Sequence, residues 1–183
     1  MTYITLVGTL LESLGRTAEA RGLYLEGLKA KPGEPTLTHN LAVLARQNGN
    51  SRQARALYEF ALEQNTQDVN TLVRLGLLCY ELEDLEAAEL QLRKALAIDP
   101  NQIPARVTLS RILSETESPM FAEQLLADTP RPIRNHPDIL AETARLQAVM
   151  ERPLATIETL IKLTRAEPEN GAAWLQLARV QNR

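Results

Sequence analysis

The feature that most constrains this chain is a period of 34 residues. Ala20, Ala54, Ala88 and Ala122 are each 34 apart, and Thr156 takes the next place. Tyr24, Tyr58, Leu92, Leu126 and Leu160 form a second column on the same period, and Gly8, Ala42, Gly76, Ser110, Ala144 and Ala178 a third. Pro32, Pro100 and Pro168 keep step with them. Within one period, best seen from Leu72 to Pro100, apolar or small residues recur at spacings of three and four, break at Glu83-Asp84, and recur again. That pattern predicts two amphipathic helices joined by a tight turn. Neither helix buries its apolar face alone, so each pair needs copies of itself alongside.

The copies fall at about 1–34, 35–68, 69–102, 103–136 and 137–170, followed by a terminal helix over 171–183. The expected helix pairs are Thr2–Leu14 with Thr17–Ala30, Pro35–Asn48 with Ser51–Gln64, and Val69–Leu82 with Leu85–Ile98. Next come Ile103–Glu115 with Pro119–Ala127, Pro137–Met150 with Pro153–Arg165, and Gly171–Asn182. Gly15 and Gly49 suit left-handed turns between helices, and Ser51 and Ser118 suit helix caps. The fourth copy departs from the rule. Pro130 and Pro132 forbid its second helix from continuing, so Arg131–His136 is expected to be irregular and to kink the stack locally. The register resumes at Leu140.

Leu72, Leu75, Gly76 and Cys79, then Ala88, Leu92, Ala95 and Pro100, resemble the two halves of the tetratricopeptide repeat. Trp174, Leu177, Ala178 and Gln181 begin a further copy of that pattern. The resemblance implies one domain, an all-α right-handed solenoid of antiparallel helix pairs whose first helices line a concave groove. Because the last copy stops at Arg183, the chain reads as part of a longer array.

Composition narrows the function. Twenty basic residues against 23 acidic give a net charge of −3, with 10 basic and 13 acidic before residue 101 and 10 of each after it. No basic domain hides in the total, which argues against nucleic acid as a partner. The apolar share of 44% suits a folded chain, and only 4% is aromatic, as close packing of small side chains requires. No apolar run reaches the ~18 residues of a membrane span. The opening Tyr3–Val7 lacks a basic flank and reads as helix, not signal peptide; a cytoplasmic location is the expectation.

Catalytic groups are sparse. The single cysteine, Cys79, falls in the column of Leu11 and Ala45 and reads as a buried structural thiol. His39 and His136 have no partner at metal-ligand spacing, and no phosphate loop or nucleophile elbow is present. The acidic run Glu81, Glu83, Asp84, Glu86 and Glu89 reads as a solvated helix edge. The expectation is therefore no enzyme, no cofactor and no metal.

Binding has more support. At about 100° per residue, the faces opposite the buried columns of the first helices carry Thr36, His39, Asn40, Val43 and Gln47, then Asn70, Val73, Arg74, Leu77 and Tyr80. Later helices add Thr108, Arg111 and Glu115, then Glu142, Arg145 and Val149, then Leu175, Gln176 and Arg179. The resemblance implies that this is the groove face, with His39, Asn40, Val43, Asn70, Arg74, Leu77, Arg111, Glu142, Arg145 and Arg179 as the peptide-binding set. Arg111, Arg145 and Arg179 share one column. They either grip the carboxylates of an extended, acidic peptide or pair with Glu115 and Glu142 one turn away. The clamp by which some tetratricopeptide domains hold acidic chaperone tails maps onto Thr5, Thr9, Asn40, Asn70 and Arg74. Only Asn40 and Arg74 fit, so that ligand is not expected.

The reading is thus a scaffold for a protein or peptide partner, at about −8 kcal/mol for micromolar affinity. Two rivals remain. One is a substrate-recruiting arm of a larger transferase or hydroxylase. The other is self-association through exposed ends, Tyr3 and Leu6 or Trp174 and Leu175.

Overall fold

The computed structural model describes residues 2–182, with side chains from residue 3 onward. Among these residues every regular element is an α-helix: α1 (Thr2–Ser13), α2 (Thr17–Ala30), α3 (Pro35–Gln47), α4 (Ser51–Gln64), α5 (Val69–Glu81), α6 (Leu85–Ile98), α7 (Ile103–Thr116), α8 (Pro119–Ala127), α9 (Pro137–Val149), α10 (Pro153–Ala166) and α11 (Gly171–Gln181). Each lies within a residue or so of the boundaries expected from the sequence. The chain divides into two compact units, Met1–Ile98 with α1–α6 and Asp99–Arg183 with α7–α11. In each, consecutive helices pair and the pairs stack, as in an all-α solenoid.

The turns inside the pairs carry the period into the backbone. Arg16, Asn50, Asp84, Ser118 and Arg152 each donate a backbone N–H five residues back, to Leu11, Ala45, Cys79, Leu113 and Gln147, at 2.8–3.0 Å. This is the long bond of a Schellman turn, and in four of the five turns a left-handed residue stands just before the donor. Gly15 (φ 73°), Gly49 (φ 74°), Glu83 (φ 60°) and Glu151 (φ 55°) supply it. Glu117 stands in the same column with φ −114°, because α7 runs on to Thr116 before the chain turns. Caps are in step as well. Asn50 Oδ1 accepts from Gln53 N and Asp84 Oδ1 from Ala87 N at the second helices, while Asp68 Oδ2 accepts from Thr71 N and Asn170 Oδ1 from Ala173 N at the first. Ser51, expected as a cap, is instead the first residue of α4; the cap is Asn50, whose amide oxygen reaches the third helical N–H. Ser118 caps α8 as expected, accepting from Met120 N.

The cores are the columns of the sequence. In the first unit Ala20, Tyr24, Leu37, Leu41 and Leu44 pack together with Ile4, Leu11, Leu28 and Leu57 against them. In the second Leu140, Ala144, Leu160, Leu163, Ala173 and Leu177 do the same. Full burial of one such leucine contributes roughly 1.5–3 kcal/mol. The small-residue column sets how closely the helices of a pair approach: a Cβ on Gly8 would lie 2.1 Å from the Tyr24 ring, and one on Gly76 2.7 Å from Leu92 Cδ2. Cys79 is buried, as its column requires, and burial pushes its thiol pKa up.

The irregular copy is confined to α8, nine residues against 14 in α2, α4, α6 and α10. Pro130 stops it, residues 131–135 form successive turns, and Arg134 Nε and Nη2 both donate to the Thr129 carbonyl at 3.3 and 3.1 Å. Nearby, Arg106 is 4% exposed in a column that holds Leu72 and Leu140 elsewhere. Its guanidinium donates to the Leu125 carbonyl at 2.7 Å and the Pro100 carbonyl at 3.0 Å, tying the start of the unit to the end of α8. No helix of the described residues is long and apolar enough to cross a membrane.

Candidate functional site

In the first unit, α3 and α5 bring His39 and Arg74 together, and α4 supplies Tyr58 from below. Arg74 Nη1 lies 2.9 Å from His39 Nε2, and Tyr58 Oη 2.9 Å from His39 Nδ1. A guanidinium only donates, so Nε2 is the bare nitrogen and Nδ1–H donates to the tyrosine. The imidazole is therefore neutral. Burial, with Arg74 and Arg46 adding repulsion, lowers its pKa to about 4. The two rings lie nearly parallel, 23° apart with centroids at 6.3 Å. Arg46, two turns along α3, pairs with Glu81 of α5 at 2.7 Å, a second tie between these helices.

Beside His39, the Asn40 side chain stands by the Tyr24 hydroxyl, which donates to Glu12 Oε1. Burial, then Glu12, raises the Tyr24 pKa. The Asn40 amide nitrogen is buried and makes no hydrogen bond. Asn70 and Arg74 are exposed, and Val43 and Leu77 half-buried. The face thus offers the Asn70 amide, a guanidinium with free N–H groups, and two apolar side chains. Its chemistry is that of backbone and carboxylate recognition. Of the clamp positions, Thr9 spends its hydroxyl on the Leu6 carbonyl of its own helix at 3.0 Å.

In the second unit Glu142 does not stand on an open face. Its side chain is 1% exposed, with Arg111 Nε at 3.0 Å and Arg145 Nη2 at 2.6 Å. Ser110 Oγ donates to it at 3.3 Å. A carboxylate buried so deeply is held by its cations and is closed to a ligand, which corrects its expected place among ligand contacts. Val73 and Thr108 likewise turn inward, at 6% and 7% exposure. Helix projection assigns these three to the open side because it counts spacing within one helix and ignores neighbouring elements; at Glu142 the neighbour is α7, through Ser110 and Arg111.

Arg111 and Arg145 keep 45% and 39% of their side chains in solvent. Arg145 and Arg179 also line one cavity of about 430 Å³ between α9, α10 and α11, floored by Ala144, Val149 and Leu160. The arginine column is therefore partly neutralised and partly open. Arg179 makes no ion pair among the described residues. Tyr58, Arg46 and Glu81, which fix the His39 cluster, were missed by sequence reasoning, although Tyr58 in a column that later holds leucine was a usable signal. No group of three or more His, Cys, Asp or Glu is placed to hold a metal among the described residues. The acidic run is engaged at Glu81 with Arg46, Asp84 with Arg55 and Glu89 with Arg93.

Comparison with known proteins agrees with this geometry. Residues 39–103 match the family model described as tetratricopeptide repeat. The Pseudomonas aeruginosa pilF structure is similar with a TM-score of 0.80 and 20% identity, over 99% of this chain and 84% of that one. TTC0263, a thermophilic tetratricopeptide protein of Thermus thermophilus, matches at 0.71 and 19%, over 100% and 99%. YrrB, a tetratricopeptide protein with an unusual peptide-binding site, matches at 0.70 and 19%, over 94% and 89%. Identities this low carry the fold alone. Among curated proteins no match is found. The period, the paired helices and the fold are those of solved tetratricopeptide repeat structures, and residues 39–103 are similar to that family's model.

Proposed function

We propose that the protein is a non-catalytic scaffold that holds an extended segment of a partner protein on the outward faces of its first helices. In the first unit the segment lies across α3 and α5. Asn40 and Asn70 hydrogen-bond its backbone, Arg74 takes a carboxylate, and Val43 and Leu77 receive apolar side chains. In the second unit Arg111, Arg145 and Arg179 favour acidic residues, with Glu142 fixing the first two from behind.

The single observation that carries this reading is the exposed Arg74 guanidinium, held by His39 across α3 and α5, with the exposed Asn70 and the half-buried Val43 and Leu77 on the same two helices. The peptide-binding description of YrrB, a protein of similar fold, is consistent with such a use.

The test is selection of peptides on the full-length protein from a random library, followed by titration calorimetry. Arg74→Glu and the pair Arg145→Glu with Arg179→Glu are compared with the parent. The reading expects enrichment of acidic peptides and at least tenfold weaker binding by one of these variants. Selected peptides that bind all of them equally would refute it.

A further inference from the structure

The short helix α8 leaves a cavity of about 360 Å³ between α8, the 131–135 turns, α9 and α10. Its walls include three polar side chains in columns that are otherwise mostly core. Thr143 stands where Leu41, Leu75, Leu109 and Leu177 stand. Gln147 follows Leu11, Ala45, Cys79 and Leu113, and Thr159 replaces Leu23, Leu57 and Leu125, Gln91 being the other exception. All three line this one cavity, on the side of the second helices and away from Arg145 and Arg179.

Their hydrogen bonds set what the cavity offers. Thr143 Oγ1 donates to the Ile139 carbonyl at 2.7 Å, and Thr159 Oγ1 donates to Gln147 Oε1 at 2.9 Å. Both hydroxyl protons are thus used internally, and the Gln147 amide N–H pair is left over. Arg134 on the same wall uses Nε and Nη2 on Thr129, which leaves Nη1. Lys162 lines this cavity and an adjoining one of about 340 Å³ that also meets Arg165, and it makes no ion pair among the described residues. The one carboxylate in the lining, Glu123, is bound by Arg152. Free donors and net positive charge remain, over an apolar floor of Leu126 and Ile139.

We propose that this cavity is a second binding site, for a peptide carboxylate carried on a short apolar stem. The carboxylate meets Lys162, Arg134 and the Gln147 amide, and the stem enters between Leu126 and Ile139. A volume of this size accepts one or two residues, and the charge-assisted bonds to Lys and Arg fix the carboxylate's orientation. Two sources share the chemistry: the terminal carboxylate of a polypeptide and an acidic side chain.

The test uses the full-length protein, ¹⁵N-labelled, with three peptides: acetyl-Leu-Ala-Leu as the free acid, the same peptide amidated, and amidated acetyl-Leu-Ala-Glu. The proposal expects the side-chain amide signal of Gln147 and the backbone signals of Thr143 and Asn135 to shift with an acidic peptide. Binding of the free acid alone assigns the terminal carboxylate, and binding of the glutamate peptide assigns the acidic side chain. Lys162→Glu weakens binding at least tenfold, whereas Arg145→Glu with Arg179→Glu leaves it unchanged, which separates this site from the first-helix face. Equal binding of the neutral amide, no shift at Gln147 at millimolar peptide, or an unaltered affinity in Lys162→Glu overturns it.

Discussion

Glu142 and Arg145, one turn apart on α9, are joined by bonds of 2.6 Å and 3.0 Å although the carboxylate is 1% exposed and the guanidinium 39%. The pair is asymmetric. The acid is buried and needs its cations, while the arginines still reach solvent.

Glu142→Gln keeps the shape and removes the charge. It leaves Arg111 and Arg145 without their shared anion and an amide N–H facing two guanidinium groups. The expected loss is about 1–3 kcal/mol, read as a lower midpoint in urea denaturation of the full-length protein. The loss falls below that of a fully buried pair because both arginines recover water. A variant as stable as the parent would contradict the pairing of Glu142 with Arg111 and Arg145.

His39 makes stability depend on pH. Its folded pKa of about 4 lies below the unfolded value near 6.5, so between these values the unfolded chain binds the proton and the folded one does not. Stability from this group is complete above about pH 6.5 and falls as the pH drops through that window. The expected drop is on the order of 1 kcal/mol after allowance for solvent screening. Urea midpoints at pH 7 and pH 5, compared between the parent and His39→Gln, read it out. The parent loses more than the variant; equal losses would count against a neutral, Arg74-bound imidazole.

The turn column separates strained from relaxed positions. Glu83 holds φ 60° at a cost of roughly 1–2 kcal/mol relative to glycine, partly offset by glycine's freer unfolded chain. Glu83→Gly should raise stability by about 0.5–1 kcal/mol. Glu117→Gly, at φ −114° in the same column, should lower it. Thermal melts of both variants check the contrast, and a stabilised Glu117→Gly would contradict the turn geometry.

The fold was legible because the period is written in residues whose role is steric. Ala88 and Gly76 mark close helix approach, Gly15 and Gly49 mark the left-handed turn, and Pro130 marks the end of α8. The site was legible only in part. Helix projection located His39, Asn40 and Arg74 on one face, since that depends on spacing within a helix and a fixed repeat. It failed at Glu142, Val73 and Thr108, whose burial depends on packing from other elements, and spacing within one helix does not record that. Arg106 was overlooked for a different reason: its two terminal nitrogens are held by the carbonyls of Leu125 and Pro100, and the Leu125 acceptor is free only because α8 stops early. Glu83 and Glu151 were overlooked as left-handed residues because nothing but their column distinguishes them from any surface glutamate.

The central claim is that the outward faces of the first helices hold a partner segment. Chemical-shift mapping on the labelled full-length protein with a library-selected peptide tests it most directly. The account predicts the largest shifts at the Asn40 and Asn70 side-chain amides and the Arg74 guanidinium, with α4 and α6 quiet on their exposed sides. Shifts concentrated on the exposed flanks of α2, α4 and α6, with Asn40 unmoved, would contradict it.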